Sequence, residues 1–158
     1  ARLMGQGAPG ARFLPQQEMP VLVDVLQRVF AVDDRRKEAL DIQYQAPDVA
    51  FVFDRDDMLE LIGNLLDNAC KWAAQKVRCE LQGDEHHLQL VVEDDGPGCS
   101  DEEIRRLTAR GVRIDEAAPG HGLGLAIARD VAEIYQGDLQ FDRSPSLGGL
   151  RVVVKLEN

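Results

Sequence analysis

The chain has 158 residues, 44% hydrophobic and 29% charged, which suits one soluble globular domain with an ordinary core rather than a disordered chain. A formal net charge of −10 excludes broad nucleic-acid or membrane-surface binding, since both want a basic face. No apolar run approaches the ~20 residues that span a bilayer, the start "ARLMGQGAPGARF" has no signal-peptide core, and Cys70, Cys79 and Cys99 have the spacing of neither a disulfide framework nor a zinc site.

Residues 1–16 contain Gly5, Gly7, Pro9, Gly10 and Pro15 with no period, and are expected as a linker or frayed arm. A helix is predicted from Gln17 to Ala31, with Pro20 tolerated in its first turn. "LDIQYQA" alternates as a strand does, and "VAFVF" reads as a short buried strand. "DRDDMLELIGNLLDNACKWAA" predicts a long helix with Asp54 or Asp56 as its N-cap. "KVRCELQ" and "LQLVVED" are predicted strands of a hairpin through "GDEHH". "DEEIRRLTA" predicts a short helix opened by Ser100 or Asp101, followed by an aperiodic loop over 110–121. A helix from about Leu123 to Tyr135 is expected to stop at Gly137 as its C′ residue. "DLQFD" and "LRVVVKLE" are the last two strands, around the turn "RSPSLGG". This order predicts an α+β domain, a mixed sheet with helices on one face.

Chemistry concentrates in three stretches. On the long helix, Asp57, Glu60, Asn64, Asp67, Asn68 and Lys71 share one stripe, opposite Leu59, Ile62, Leu65, Leu66, Ala69 and Ala73. A solvated helix face has this look, but Asn is a poor mid-helix residue and such a face more naturally uses Glu, Lys or Arg. Paired carboxamide oxygens one turn apart, with an ammonium one turn beyond, suit a hydrated Mg²⁺ on polyphosphate. In "VVEDDGPG" a strand ends in two carboxylates and a turn. Either this is an acidic strand end with a Pro-Gly turn, or Asp95 accepts from an exocyclic amine while Gly96 and Gly98 admit a flat base. In "APGHGLGLAIARD", Gly120, Gly122 and Gly124 feed a helix N-terminus, a setting that can hold an anion. The stretch lacks both the preceding strand of a dinucleotide fingerprint and the Gly-Lys-Ser/Thr of a P-loop.

Together and in order, "NLLDNACKW", "DDGPG" and "GHGLGLA" resemble the catalytic, ATP-binding domain of sensor histidine kinases, and the longer stretches "ARGVRID" and "PGHGLGLAIAR" are similar to those of the PhoQ type. The likeness spans roughly residues 17 to 157. It implies the two-layer α/β sandwich of the GHKL ATP-binding fold, shared with DNA gyrase, MutL proteins and heat-shock chaperone ATPases. It implies ATP and Mg²⁺ as cofactors, and transfer of the γ-phosphoryl to a His on a separate dimerisation domain for relay to a response-regulator Asp. By resemblance, Asn64 and Asn68 hold metal and phosphate, Lys71 contacts phosphate, and Trp72 packs near the sugar or base. Asp95 binds the adenine amine beside Gly96 and Gly98. Gly120, Gly122 and Gly124, with Leu123 among them, form the second glycine box. Residues 108–121 form a lid over ATP, in which Arg113 meets the γ-phosphate, Arg110 being the other candidate, and His121 adjoins the metal. Residues 1–16 then lead from an upstream phosphoacceptor and dimerisation domain of a homodimer, residues 17–158 form the catalytic domain, and the whole is the cytoplasmic part of an inner-membrane sensor.

The chain departs from that pattern at Thr108, where the family usually has Phe, at Ala118, where PhoQ-type kinases have a second lid Arg, and at His121, where they have Gln. An ATPase switch of the gyrase or chaperone type is the alternative. Those relatives place a water-activating Glu where this chain has Asn64, which cannot act as a base. A nucleotide-binding module without transfer activity is the other alternative. None of His86, His87 and His121 has the phosphoacceptor pattern, so the chain is expected to bind nucleotide and do little chemistry alone.

Overall fold

The computed structural model describes residues 11–31, 38–109 and 122–158. The elements run β1 (Arg12–Phe13), α1 (Pro15–Val29), β2 (Asp41–Gln45), β3 (Phe51–Asp54), α2 (Arg55–Trp72), β4 (Lys76–Asp84), β5 (His87–Asp94), α3 (Asp101–Thr108), α4 (Gly122–Ile134), β6 (Leu139–Arg143) and β7 (Leu150–Glu157). Five strands form a mixed sheet in the order β2-β4-β5-β7-β6, in which β2 and β4 are parallel and the other pairs antiparallel.

Alternation sorts the sheet into two faces. Val77, Cys79 and Leu81 of β4 are buried, and the register sets Cys79 opposite Val92, Val92 opposite Val152, and Val152 opposite Phe141. On this face pack the buried sides of α2 (Met58, Leu61, Leu65, Ala69) and of α4 (Leu125, Ala128, Val131, Ala132). The opposite face carries a charged row in which Glu93 pairs with Arg78 at 3.7 Å and with Arg151 at 3.2 Å. The α+β sandwich expected from the sequence is the fold observed. Among the described residues no helix is long and apolar enough to cross a membrane.

Two local expectations are corrected. Residues 11–16 are not a frayed arm: β1 pairs antiparallel with β3, and Phe13 is fully buried against Phe51 at 6.1 Å between ring centroids. The helix after it begins at Pro15, so Pro20 falls in its second turn, on the exposed side. The second correction concerns the end of α4. Gly137 N–H donates to Ala132 O at 2.9 Å and Gln136 N–H to Glu133 O at 3.2 Å, a Schellman pattern whose C′ residue is Gln136, at φ 61°. Gly137 is glycine for room: a Cβ there would lie 2.5 Å from Lys155 O. Gln136→Gly, which removes the left-handed penalty of roughly 1 kcal/mol, is therefore expected to raise the melting temperature by about 2–4 °C. A thermal melt that is unchanged or lower would show that Gln136 is not strained.

Candidate functional site

The site grows from the second half of α2. Asp54 caps the helix by accepting from Asp57 N–H at 3.0 Å, and the acidic first turn suits the helix dipole. The polar stripe is solvated only in part. Asp57 accepts from Tyr135 Oη at 2.5 Å, Asn64 is half-buried, and Asn68 is 6% exposed, while Glu60, Asp67 and Lys71 are exposed. For Asn64 the neighbour is α4, which packs on α2 and brings Gly124 against it: a Cβ on Gly124 would sit 3.5 Å from Asn64 O and 3.6 Å from Asn64 Oδ1. Two of the sequence stretches are therefore in contact.

Asn64 Nδ2 donates to Glu60 O at 2.7 Å, which leaves Oδ1 without a donor among the described residues. Asn68, one turn further along the helix, is 6% exposed. Carboxamide oxygens one turn apart are hard donors, so the residues present fit a Mg²⁺ ion. Among the described residues no cluster of three or more His, Cys, Asp or Glu could hold a metal. At the end of α2 the Lys71 ammonium lies 5.7 Å from the Trp72 ring centroid.

The third stretch joins at Trp72. A Cβ on Gly96 would lie 2.2 Å from Trp72 O, so Gly96 is glycine because the end of α2 occupies that space. Gly98 takes φ 69°, a left-handed turn position, and faces Gly149.

The two carboxylates sit in different surroundings. Asp95 Oδ1 accepts the backbone N–H of Gln75 and of Lys76, each at 2.9 Å, and so ties the end of β5 to the start of β4. Asp94 continues the inward-facing series Leu88, Leu90, Val92 and is 2% exposed. Its Oδ1 accepts from Gly96 N–H at 2.9 Å and Leu150 N–H at 3.4 Å, and its Oδ2 has no partner among the described residues. Burial pushes the Asp94 carboxyl up to about 6; the two N–H donors oppose that shift and the Asp95 charge adds to it. A buried carboxylate with one oxygen uncommitted can take a hydrogen bond from a ligand amine.

Gly149 is a further site residue that sequence reasoning missed. Its N–H donates to Asp94 O at 3.0 Å, and a Cβ would meet Asp94 Oδ1 at 2.3 Å and Asp94 O at 2.4 Å. Gly149→Ala is expected to displace Asp94, costing about 1–3 kcal/mol of stability. Ligand affinity should fall with it; an alanine variant that melts and binds as the parent does would contradict this packing.

Thr108 donates to Ile104 O at 2.9 Å and ends α3 as an exposed residue. Gly122 and Leu123 open α4. Arg110, Arg113, Ala118, Gly120 and His121, with most of the segment 108–121, lie outside the described residues.

The profile of the histidine kinase-, DNA gyrase B-, and HSP90-like ATPase family matches residues 53–158, the span that carries all three stretches. The chain belongs to this family. Sensor kinases are among its relatives. It is 45% identical over 157 residues to the sensor protein kinase CarS of Pseudomonas aeruginosa, covering 99% of this chain and 34% of that protein. It is 41% identical over 109 residues to the sensor protein PhoQ of Escherichia coli, covering 69% of this chain and 22% of that one. The chain thus spans about a third or less of the curated relatives it matches. Among solved structures it is similar to the mycobacterial sensor histidine kinase MprB, at 25% identity and a TM-score of 0.60, over 88% of this chain and 93% of that one. Since the family is one of ATPases, ATP is the ligand class of this domain.

Proposed function

We propose that this domain binds Mg-ATP and presents the γ-phosphoryl to a histidine on a separate dimerisation domain, for relay to a response-regulator aspartate. The observation that carries the reading is Asp94: a buried carboxylate, its free oxygen open to a ligand, beside the helix that bears Asn64, Asn68 and Lys71. Asp94, in place of Asp95, accepts the exocyclic amine of adenine, which guanine cannot supply at that position. Trp72 flanks the sugar or base. Asn64 and Asn68 hold Mg²⁺, which when bound neutralises charge on the phosphate oxygens; His121 is the further candidate ligand. Lys71 and Arg113, with Arg110 as the other candidate, steady phosphate charge, and Gly120, Gly122 and Gly124 let backbone approach it.

Phosphoryl transfer of this kind needs positioning and charge stabilisation more than covalent chemistry from the protein. Asn64 supports that assignment, because a carboxamide does not abstract a proton from water. The homodimer, the response regulator and the cytoplasmic side of a membrane sensor belong to the same proposal, supported by relatives that are sensor kinases. The test mixes the chain with γ-labelled ATP and a separately prepared dimerisation domain carrying the acceptor histidine. Label on that histidine, with ADP formed, is the expected result. Inorganic phosphate released with no labelled acceptor would favour the ATPase-switch reading, and nucleotide bound with neither product would favour an inactive module.

A further inference from the structure

Arg129 of α4 has a side chain only 15% exposed, and its guanidinium makes contacts in three directions. Nε donates to Asp138 Oδ1 at 2.9 Å, Nη2 donates to the Leu107 carbonyl at 2.8 Å, and the group lies 5.9 Å from the Phe141 ring centroid. Asp138 Oδ1 also accepts Leu139 N–H at 2.7 Å, so the carboxylate is fixed at the head of β6. Leu107 is fully buried in the last turn of α3, where carbonyls have no partner within the helix. One planar fork therefore joins the carbonyl end of α3 to α4 and β6. A lysine ammonium is a single point charge and cannot reproduce that fork.

Capping α3 is a sufficient structural role for such a group. What distinguishes Arg129 is where the joined elements lead. The C-cap of α3 is Ala109, and the first turn of α4 sets Gly124 against Asn64. We infer that Arg129 is a positioning residue for the phosphate end of the nucleotide site, fixing the end of α3 against the helix that packs on Asn64. The inference rests on the Mg-ATP reading above.

The test compares dissociation constants for MgATP and MgADP by calorimetry in the parent chain, in Arg129→Lys and in Asp138→Asn, each beside a thermal melt. A positioning role predicts that Arg129→Lys loses ATP affinity by roughly fivefold or more while ADP affinity stays within about twofold. Asp138→Asn keeps the guanidinium and a carbonyl acceptor but loses the charge, so it should show a smaller loss in the same ATP-selective sense. It also supplies the reading if Arg129→Lys does not fold. Equal losses for ATP and ADP, or no loss for either, would reduce Arg129 to a helix cap and overturn the inference. A parent chain that binds neither nucleotide would instead sink the Mg-ATP reading, and that is seen before any variant is made.

Discussion

Asp94→Asn is expected to lose adenine-nucleotide affinity by tenfold or more while making the fold more stable at neutral pH. The loss follows from replacing the acceptor of a charge-assisted hydrogen bond, worth roughly 1.5–3 kcal/mol, with an amide that offers a donor in its place. The gain follows from linkage. The Asp94 carboxyl is raised from 3.8 to about 6 in the folded state, so its contribution favours the fold below about pH 4 and is lost as pH rises through 6. At pH 7 the parent chain carries a buried charge that the asparagine variant lacks. Asparagine Oδ1 can still accept from Gly96 and Leu150, so no N–H is stranded. Melting curves should show the variant higher at pH 7 by a few degrees, for a gain on the order of 1 kcal/mol, with the difference closing toward pH 4. ATP affinity of the parent should weaken below pH 6 as Asp94 takes up its proton. Asp95→Asn is the control: its carbonyl can still accept from Gln75 and Lys76, so nucleotide affinity should stay near that of the parent. If instead Asp95→Asn loses ATP and Asp94→Asn keeps it, the two carboxylates have been assigned the wrong way round.

The proposed choice of Asp94 over Asp95 bears on what the sequence makes legible. Elements with strong periods come out nearly where expected: α2 begins after its Asp54 cap, and α3 is opened by Ser100, whose hydroxyl accepts from Glu103 N–H in a capping box. The signal for Asp94 was also present, because residues 88, 90, 92 and 94 alternate inward and the fourth of them is the carboxylate. Other features depend on neighbours distant in sequence. Gly149 is required by Asp94, and Gly137 by the carbonyl of Lys155; neither constraint leaves a local mark. β1 is too short to show a period, and its order comes from Phe13 meeting Phe51. The polar stripe of α2 is legible as a stripe, but only neighbours distant in sequence decide that Gly124 lies against Asn64 and that Asp57 is bonded to Tyr135.

Asn64→Ala separates a ligand-binding helix from a merely polar one. Alanine improves mid-helix propensity by roughly 0.5 kcal/mol and removes a carboxamide that back-bonds to Glu60 O, so the melting temperature should hold or rise slightly. No core cavity opens, since Asn64 is only half-buried. If Asn64 only decorated a helix, nothing else would change. If its uncommitted Oδ1 helps to hold Mg²⁺, the Mg-dependent part of ATP affinity should fall about tenfold and transfer to an added acceptor domain should stop. Affinity measured in EDTA should scarcely move if Asp94, as proposed, takes the adenine amine. Asn64→Glu puts a carboxylate where hydrolysing relatives carry one, and is expected to give slow phosphate release with no transfer to histidine. Because the fold is preserved in the alanine variant, loss of function cannot be charged to unfolding. Transfer by Asn64→Ala at the parent rate would remove this helix from the catalytic reading.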